Sequence, residues 1–138
     1  MRLTAEDFAG DWQVARAITD RLTGQPGAFD GRARFAPVPG GLRYDEEGVL
    51  RLGAGVPLAA RRSYLWVFGA QDVAVQFPDG RPFHRFVPGA DGAGTDHPCA
   101  QDLYRVAYAW GDWPRWQASW EVKGPRKDYR MESLYRRG

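Results

Sequence analysis

The strongest constraint on the fold is a two-residue alternation of apolar and polar side chains. The segment WQASWEVK places Trp116, Ala118, Trp120 and Val122 on one side of an extended chain and polar residues on the other. Successive side chains of a strand point to opposite sides, so this alternation predicts a strand with one buried face. The same period recurs in three further segments: DWQVARAI (11–18), AFDGRARF (28–35) and DVAVQF (72–77).

Turn-forming residues separate these segments. The chain contains 17 Gly and 10 Pro, and 14% of its residues are aromatic, a balance that favours strands joined by turns. Pro78, Asp79 and Gly80 lie between two strand-like runs and predict a hairpin, since Asp-Gly suits the turns that match strand twist.

One segment near the start is helix-like. In LTAEDFAG, Thr4 is a candidate N-cap and Asp7 follows three positions later, which predicts a helix of one or two turns. The sequence therefore predicts an all-β chain, a single domain over residues 1–138. We expect one antiparallel β-barrel of about eight to ten strands with a short N-terminal helix, because closure removes exposed sheet edges.

Composition narrows the classes of function. A formal net charge of +2 does not by itself indicate a nucleic-acid-binding protein. The single cysteine cannot form an internal disulfide. No run approaches the roughly 20 apolar residues of a membrane span, and residues 1–12 lack the apolar core of a signal peptide. We therefore expect a cytoplasmic protein with no membrane partner.

A short motif at the first strand resembles the signature of the calycins, which include the lipocalin-like barrels. It is the Gly-x-Trp of Gly10, Asp11 and Trp12. In those barrels the tryptophan closes one end beneath an arginine from the last strand. The resemblance implies that Arg136 or Arg137 supplies that arginine.

Longer tracts resemble a bacterial family, domain of unknown function 6314. The resemblance implies a calycin-like barrel and carries over no activity and no catalytic residue. The tracts follow one another over nearly the whole chain: YDEEG (44–48), RRSYLWVF (61–68), FPDGRPFHRF (77–86), DHPCAQDLYRV (96–106) and WEVKGPRKDYRMESLYRR (120–137).

The stretch DHPCAQDLY concentrates residues that carry chemistry. In an extended conformation His97 and Cys99 share a face about 6.6 Å apart, a spacing that suits two zinc ligands, with Asp102 or His84 as a third. Alternatively, Pro98 opens a helical turn and Cys99 shares a face with Asp102.

A Cys–His nucleophile is a further alternative for this stretch, but no third group is available to orient the base. The favoured interpretation is a small buried Cys99 beside an Asp102 that caps the turn or pairs with an arginine. No metal site and no catalytic residue are therefore predicted.

His84 shares a strand face with Phe86, which favours a hydrogen-bonded core histidine. Because related calycin barrels bind haem through one histidine, the resemblance leaves His84 and His97 as the candidates for that role. No cofactor is predicted, with haem and zinc kept as alternatives.

Polar residues also occupy alternate positions of otherwise apolar strands, so that Tyr44 and Glu46, for example, share one face. Strands with aromatic or charged residues on both faces favour a barrel with a polar cavity over a solvated outer face. Buried charges need partners, so Arg62 or Arg16 is expected opposite Glu46 or Asp102. The predicted lining comprises Glu46, Arg62, Tyr64, His84, His97, Asp102 and Tyr104.

The turn KGPRKDY brings Arg126 and Lys127 near a cavity entrance, where they would attract an anionic ligand; a solvated hairpin tip is the alternative. The sequence thus predicts a small-molecule-binding barrel with a partly polar, anion-binding cavity. It sets neither the ligand nor the oligomeric state.

Two other functions remain alternatives. One is an enzyme with His97 or His84 as general acid/base and Asp102 or Glu46 as its partner. The other is a protein- or nucleic-acid-binding module with its aromatic residues outside, suggested by the four tryptophans within residues 110–120.

Overall fold

The computed structural model describes residues 1–99 and 101–138, with the side chains of Ala93 and Cys99 outside that description. The predicted all-β class and the short helix are confirmed, and every strand pairing is antiparallel. The described residues form one helix and eleven strands: α1 Ala5–Phe8, β1 Gly10–Asp20, β2 Pro26–Val38, β3 Gly41–Leu52, β4 Leu58–Phe68, β5 Val73–Gln76, β6 Pro82–Phe86, β7 Gly92–Ala93, β8 His97–Cys99, β9 Asp102–Ala109, β10 Trp116–Gly124 and β11 Lys127–Arg137.

The strands form one sheet that curls into a nearly closed barrel. Their order is β6-β5-β4-β3-β2-β1-β11-β10-β9-β7, and β8 also pairs with β9. The segment after β7 joins the two sheet ends: the Gly94 amide donates to the Val106 carbonyl at 2.7 Å, and the Thr95 amide to the Arg85 carbonyl at 2.9 Å. A Cβ on Gly94 would lie 2.6 Å from that Arg85 oxygen, so this crossing requires glycine.

The helix closes the end of the barrel at which β1 begins. The Thr4 amide donates to the Asp7 carboxylate at 2.7 Å, forming the predicted capping box. This helix places Phe8 inside the barrel with no exposed surface. The Phe8 ring lies within 6 Å of five other rings: Phe35, Trp66, Trp110, Trp113 and Trp116.

The tryptophan of the Gly-x-Trp motif lies at this closed end. The Trp12 indole donates to the Phe8 carbonyl at 2.8 Å, and the Arg137 guanidinium lies 4.0 Å from the Trp12 ring centroid. Arg137 also donates to the Ala9 carbonyl at 3.0 Å, whereas Arg136 reaches Gln13 at 3.3 Å. The arginine implied by the resemblance is therefore Arg137.

The aromatic residues face inward, as the alternation predicts. Of the six tryptophans, four are buried and two half-buried, contrary to the outside placement that a nucleic-acid-stacking surface would need. Within the described part of the chain, no helix has the length and apolar character to cross a bilayer.

Candidate ligand-binding site

Towards the end of the barrel opposite α1, the strand alternation brings charged side chains inside. On β1, Arg16 follows Trp12 and Val14 on the inward face, and on β3, Glu46 follows Tyr44. Arg16 is 7% exposed and Glu46 is 4% exposed. An isolated charge at such positions would cost several kcal/mol, so each requires a partner.

Arg16 and Glu46 provide that partner for each other. Two guanidinium N–H groups of Arg16 donate to the two Glu46 oxygens at 2.7 and 2.8 Å, and Nε donates to Ser133 Oγ at 2.7 Å. Of the pairings that the sequence leaves open, Arg62 or Arg16 with Glu46 or Asp102, the bidentate one in the structure joins Arg16 to Glu46. This bidentate arrangement is the strongest form of the arginine–carboxylate contact.

Both members of the pair stay charged. Burial alone would lower the pKa of Arg16, but the hydrogen bonds and the charge of Glu46 raise it above its ordinary value. Burial alone would raise the pKa of Glu46, but the hydrogen bonds and charge of Arg16 hold it below its ordinary value.

Arg62 is held more loosely beside this pair. Its Nε lies 3.7 Å from Glu46 Oε2, its guanidinium lies 5.3 Å from the Trp120 ring centroid, and its side chain is 36% exposed. Tyr44 completes the carboxylate's partners by donating its hydroxyl to Glu46. We call Arg16, Glu46 and Arg62 the charged layer; with two cations and one anion, it has a net charge of +1.

A cavity of about 290 Å³ lies between the charged layer and solvent, and we call it the outer cavity. Its volume is near the lower limit of small-molecule sites, about 300 Å³. The charged layer forms part of its lining, and Asp20, Gln25, Arg61 and Tyr129 contribute further polar groups. Its apolar walls are Ile18, Phe29, Leu50, Leu52, Ala60 and Met131.

A second cavity of about 30 Å³ lies deeper, and we call it the inner cavity. The three residues of the charged layer line both cavities and so separate them. The remaining lining includes Trp66 and Trp116, which also contact Phe8 of the closed end. A cavity of this size has room for about one or two water-sized atoms.

His84 lines the inner cavity and is 5% exposed. Its Nε2 lies 2.8 Å from the Tyr108 hydroxyl. Burial, together with the charge of His97, lowers the pKa of His84 to about 3, so the ring is neutral near pH 7.

Four of the predicted lining residues come together at these cavities. Glu46 and Arg62 line both, and Tyr64 and His84 line the inner one. The sequence left the partner of Glu46 open between Arg16 and Arg62. Ten residues of the described inner-cavity lining were not among the predicted site residues, and Arg16, Tyr108, Trp116 and Tyr135 are four of them. The available signal for Arg16 was its place in the apolar phase of β1.

The other predicted lining residues form a separate group. The His97 ring is half-exposed and lies 5.2 Å from the Phe83 ring. Lys127 Nζ lies 3.4 Å from the Asp102 carboxylate and donates to the Tyr104 hydroxyl at 3.3 Å. Among the described residues, the lining of neither cavity includes His97, Asp102 or Tyr104.

Arg126 lies in the turn between β10 and β11 and Lys127 begins β11; both residues are exposed. The next residues along β11 pair with the end of β1, where Tyr129 lies opposite Asp20, and both of these line the outer cavity. The turn is therefore at the same end of the barrel as the outer cavity, although Arg126 and Lys127 are outside its described lining.

The alternative chemistries lack their contacts in the described part of the chain. His84 hydrogen-bonds Tyr108 and Asp102 pairs with Lys127, so the predicted histidine–carboxylate pairs are not formed there. No group of three metal-ligating side chains occurs among the described residues, and the Cys99 thiol lies outside them. The 30 Å³ beside His84 is far smaller than a porphyrin, so this histidine does not fit a haem site.

Comparison with known proteins agrees with the fold. The model of DUF6314, a family of unknown function, matches residues 8–137. The chain belongs to this family. Membership of DUF6314 confirms the resemblance that the sequence tracts indicate. No curated protein matches the sequence.

Two solved structures share the barrel. A protein of unknown function from the DUF3598 family of Nostoc punctiforme is 13% identical, with a TM-score of 0.61 over 97% of this chain and 48% of its own. This chain therefore spans about half the length of that protein. An S-type phycobiliprotein lyase from Guillardia theta is 10% identical, with a TM-score of 0.67 over 97% of this chain and 90% of its own. These likenesses agree with a lipocalin-like barrel fold.

Proposed function

We propose that the protein binds a small molecule in the outer cavity, with an apolar body against the walls and an anionic group at the charged layer. One observation carries this proposal. The charged layer, with its net charge of +1, borders the outer cavity, which has apolar walls and opens to solvent. Barrels of about eight strands are wide enough to hold one small ligand.

The charge balance favours an anion over a cation. The Glu46 carboxylate is already engaged by Arg16, by Tyr44 and by the long contact with Arg62, so it has little capacity to bind a ligand cation. Arg62 is the residue with charge to spare, because its one ion pair within the layer is 3.7 Å long. A guanidinium offers a planar pair of donors that matches a carboxylate.

The test is isothermal titration calorimetry with three eight-carbon probes below their micelle concentrations: sodium octanoate, octan-1-ol and octylamine. Octanoate is expected to bind at least about tenfold more tightly than the alcohol, equal to about 1.4 kcal/mol. The amine is expected to bind least, because the charged layer repels it.

Arg62→Gln is expected to lower octanoate affinity about tenfold, since a hydrogen bond to a charged group contributes about 1.5–3 kcal/mol. Arg51→Gln is the matched control, because Arg51 is exposed on the neighbouring strand β3 and is not in the lining of the outer cavity. Absence of octanoate binding, or equal effects of the two substitutions, would contradict the proposal.

A further inference from the structure

Two residues of the inner-cavity lining each carry a buried nitrogen atom that has no partner within the described part of the chain. Trp116 Nε1 and His84 Nδ1 lack a hydrogen bond among the described residues, and both residues line this cavity. Trp116 is 1% exposed and His84 is 5% exposed. Leaving a buried polar group unsatisfied is costly, so two such groups on residues that line one 30 Å³ cavity point to a third molecule that satisfies them.

The hydrogen bond between His84 and Tyr108 decides what His84 Nδ1 offers. Burial raises the pKa of Tyr108 well above its ordinary value, so its hydroxyl keeps its proton. Among the described residues, His84 Nε2 is the acceptor within reach of that O–H, at 2.8 Å. If Nε2 accepts, the proton of the neutral ring is on Nδ1, which is then a donor.

The reverse tautomer would leave the Tyr108 O–H without an acceptor and the His84 Nδ1 lone pair without a donor. The reverse tautomer therefore leaves two groups without a hydrogen bond instead of one, and it is less favourable. The indole of Trp116 is a donor in every state. Two residues that line the inner cavity thus carry N–H donors without a partner among the described residues, and what complements such donors is a hydrogen-bond acceptor.

Access to the inner cavity runs through the charged layer, which lines both spaces. Arg16 is fixed by three hydrogen bonds to Glu46 and Ser133. Among the residues that the structure describes, Arg62 has only the 3.7 Å ion pair to Glu46 and the contact with the face of the Trp120 ring, and its side chain is 36% exposed. Arg62 is therefore the member of the charged layer that can shift at the smallest loss of contacts, which would let one ligand oxygen reach the inner cavity while the guanidinium stays beside the carboxylate.

We propose that the inner cavity is the deep end of the binding site and receives a carboxylate or carbonyl oxygen of the ligand from the N–H groups of Trp116 and His84. This inference rests on the proposed function and adds a ligand class to it: an acyl compound with a narrow oxygen-bearing end. A space of 30 Å³ admits one or two atoms, so a phosphonate head with three oxygens is excluded.

An NMR titration of the unaltered protein with sodium octanoate separates this inference from the proposed function. The chain has two methionines, and Met131 lines the outer cavity while Met1 is 70% exposed. Methyl-labelled methionine therefore reports the outer cavity with a built-in control. Labelled indole nitrogen reports the inner cavity through Trp116, with Trp12, already bonded to Phe8, as its control.

The expected result is that the Met131 methyl and the Trp116 indole N–H shift with the same dissociation constant, and that the indole proton moves downfield as it gains an acceptor. The signals of the Met1 methyl and the Trp12 indole are expected not to shift. A shift of Met131 without Trp116 would overturn the inference and leave the proposed function standing. If neither signal shifts, the proposed function itself fails.

Octylphosphonate provides the size test. It is expected to shift Met131 and to leave the Trp116 indole unmoved, because its head does not fit the inner cavity. An equal Trp116 response to both probes would contradict the acyl-specific assignment.

Trp116→Phe removes the indole donor and keeps an aromatic ring. It is expected to lower octanoate affinity about tenfold in calorimetry, whereas Trp113→Phe, at the closed end and outside the described lining of both cavities, is expected to leave it unchanged. Urea unfolding establishes that each variant is folded. Wild-type affinity in folded Trp116→Phe protein would overturn the inference.

Discussion

The two ends of the barrel are built on different physical principles. At the closed end, Phe8 and the rings around it exclude water, and Trp12 donates to a backbone carbonyl. Towards the open end, the same inward faces carry Arg16 and Glu46 beneath a solvent-accessible cavity. The inner cavity lies between them, and two residues of its lining carry donors without a hydrogen bond among the described residues.

This difference indicates which end serves stability and which serves function. Burial of apolar surface contributes roughly 25 cal/mol per Å², so the aromatic end stabilises the fold directly. A buried ion pair contributes little net stability compared with apolar residues of the same volume. The charged layer is therefore not explained by stability, which supports its role in the proposed binding site.

Phe8→Ala tests the closed end and is expected to have the largest effect on stability. Removing a fully buried Phe is expected to lower the free energy of unfolding by about 3–5 kcal/mol, measured by urea denaturation. Octanoate affinity in the folded variant is expected to be unchanged. The control is Val87→Ala, at a 50% exposed position, which should lower the free energy of unfolding by less than about 0.5 kcal/mol. Loss of octanoate binding in folded Phe8→Ala protein would break the division between the two ends.

Glu46→Gln tests the charged layer. It leaves Arg16 buried without its counter-ion, so we expect a loss of about 3 kcal/mol in the free energy of unfolding. We also expect octanoate affinity to rise, because the layer gains one unit of positive charge. The double variant Arg16→Met/Glu46→Leu is expected to have a free energy of unfolding within about 1 kcal/mol of the wild type. It is expected to keep octanoate binding, because Arg62 retains the net charge of +1.

The matched control for the charged layer is Glu47→Gln. Glu47 is on the outer face of the same strand, with a side chain 70% exposed and a 3.6 Å contact to Arg61. Its substitution should change stability by less than about 0.5 kcal/mol. A Glu46→Gln protein as stable as the wild type would show that buried Arg16 does not need the charge of Glu46 as its partner.

His84 gives the third prediction, a dependence of stability on pH. Its pKa is about 3 in the folded protein and 6.5 for the ordinary group, so between these values the unfolded chain binds a proton that folded His84 does not. The free energy of unfolding is therefore expected to fall as the pH decreases from 6.5 towards 3, by up to about 1.4 kcal/mol per pH unit.

The double variant His84→Phe/Tyr108→Phe removes this proton uptake and both partners of the hydrogen bond. Urea unfolding at pH 6, 5 and 4 should show a shallower slope for the variant than for the wild type, with His97→Gln as the control that keeps most of the slope. Parallel curves for the wild type and the double variant would refute the buried neutral histidine.

The sequence pattern indicated two of the residues that line both cavities, and it did so for a local reason. Glu46 and Arg62 break the apolar phase of their strands, and a period of two fixes which side chains share a face. His97 and Asp102 carry equally unusual chemistry, yet they lie outside the described lining of both cavities. Asp102 begins β9 beside the hairpin of β10 and β11, where Lys127 engages it, and no local pattern specifies that neighbour.

The sequence by itself determined the strands, their turns, the capping box at Thr4 and the side chains that face inward, because these depend on neighbours within a few residues. Only the tertiary structure decided that Arg16 meets Glu46 thirty positions away, since β2 lies between their strands and the contact depends on the curvature of the barrel. Tertiary structure also decided that His84 meets Tyr108 and that Trp116 lines the same space. Barrel closure places these residues together around the inner cavity, and that proximity is not encoded in any one segment.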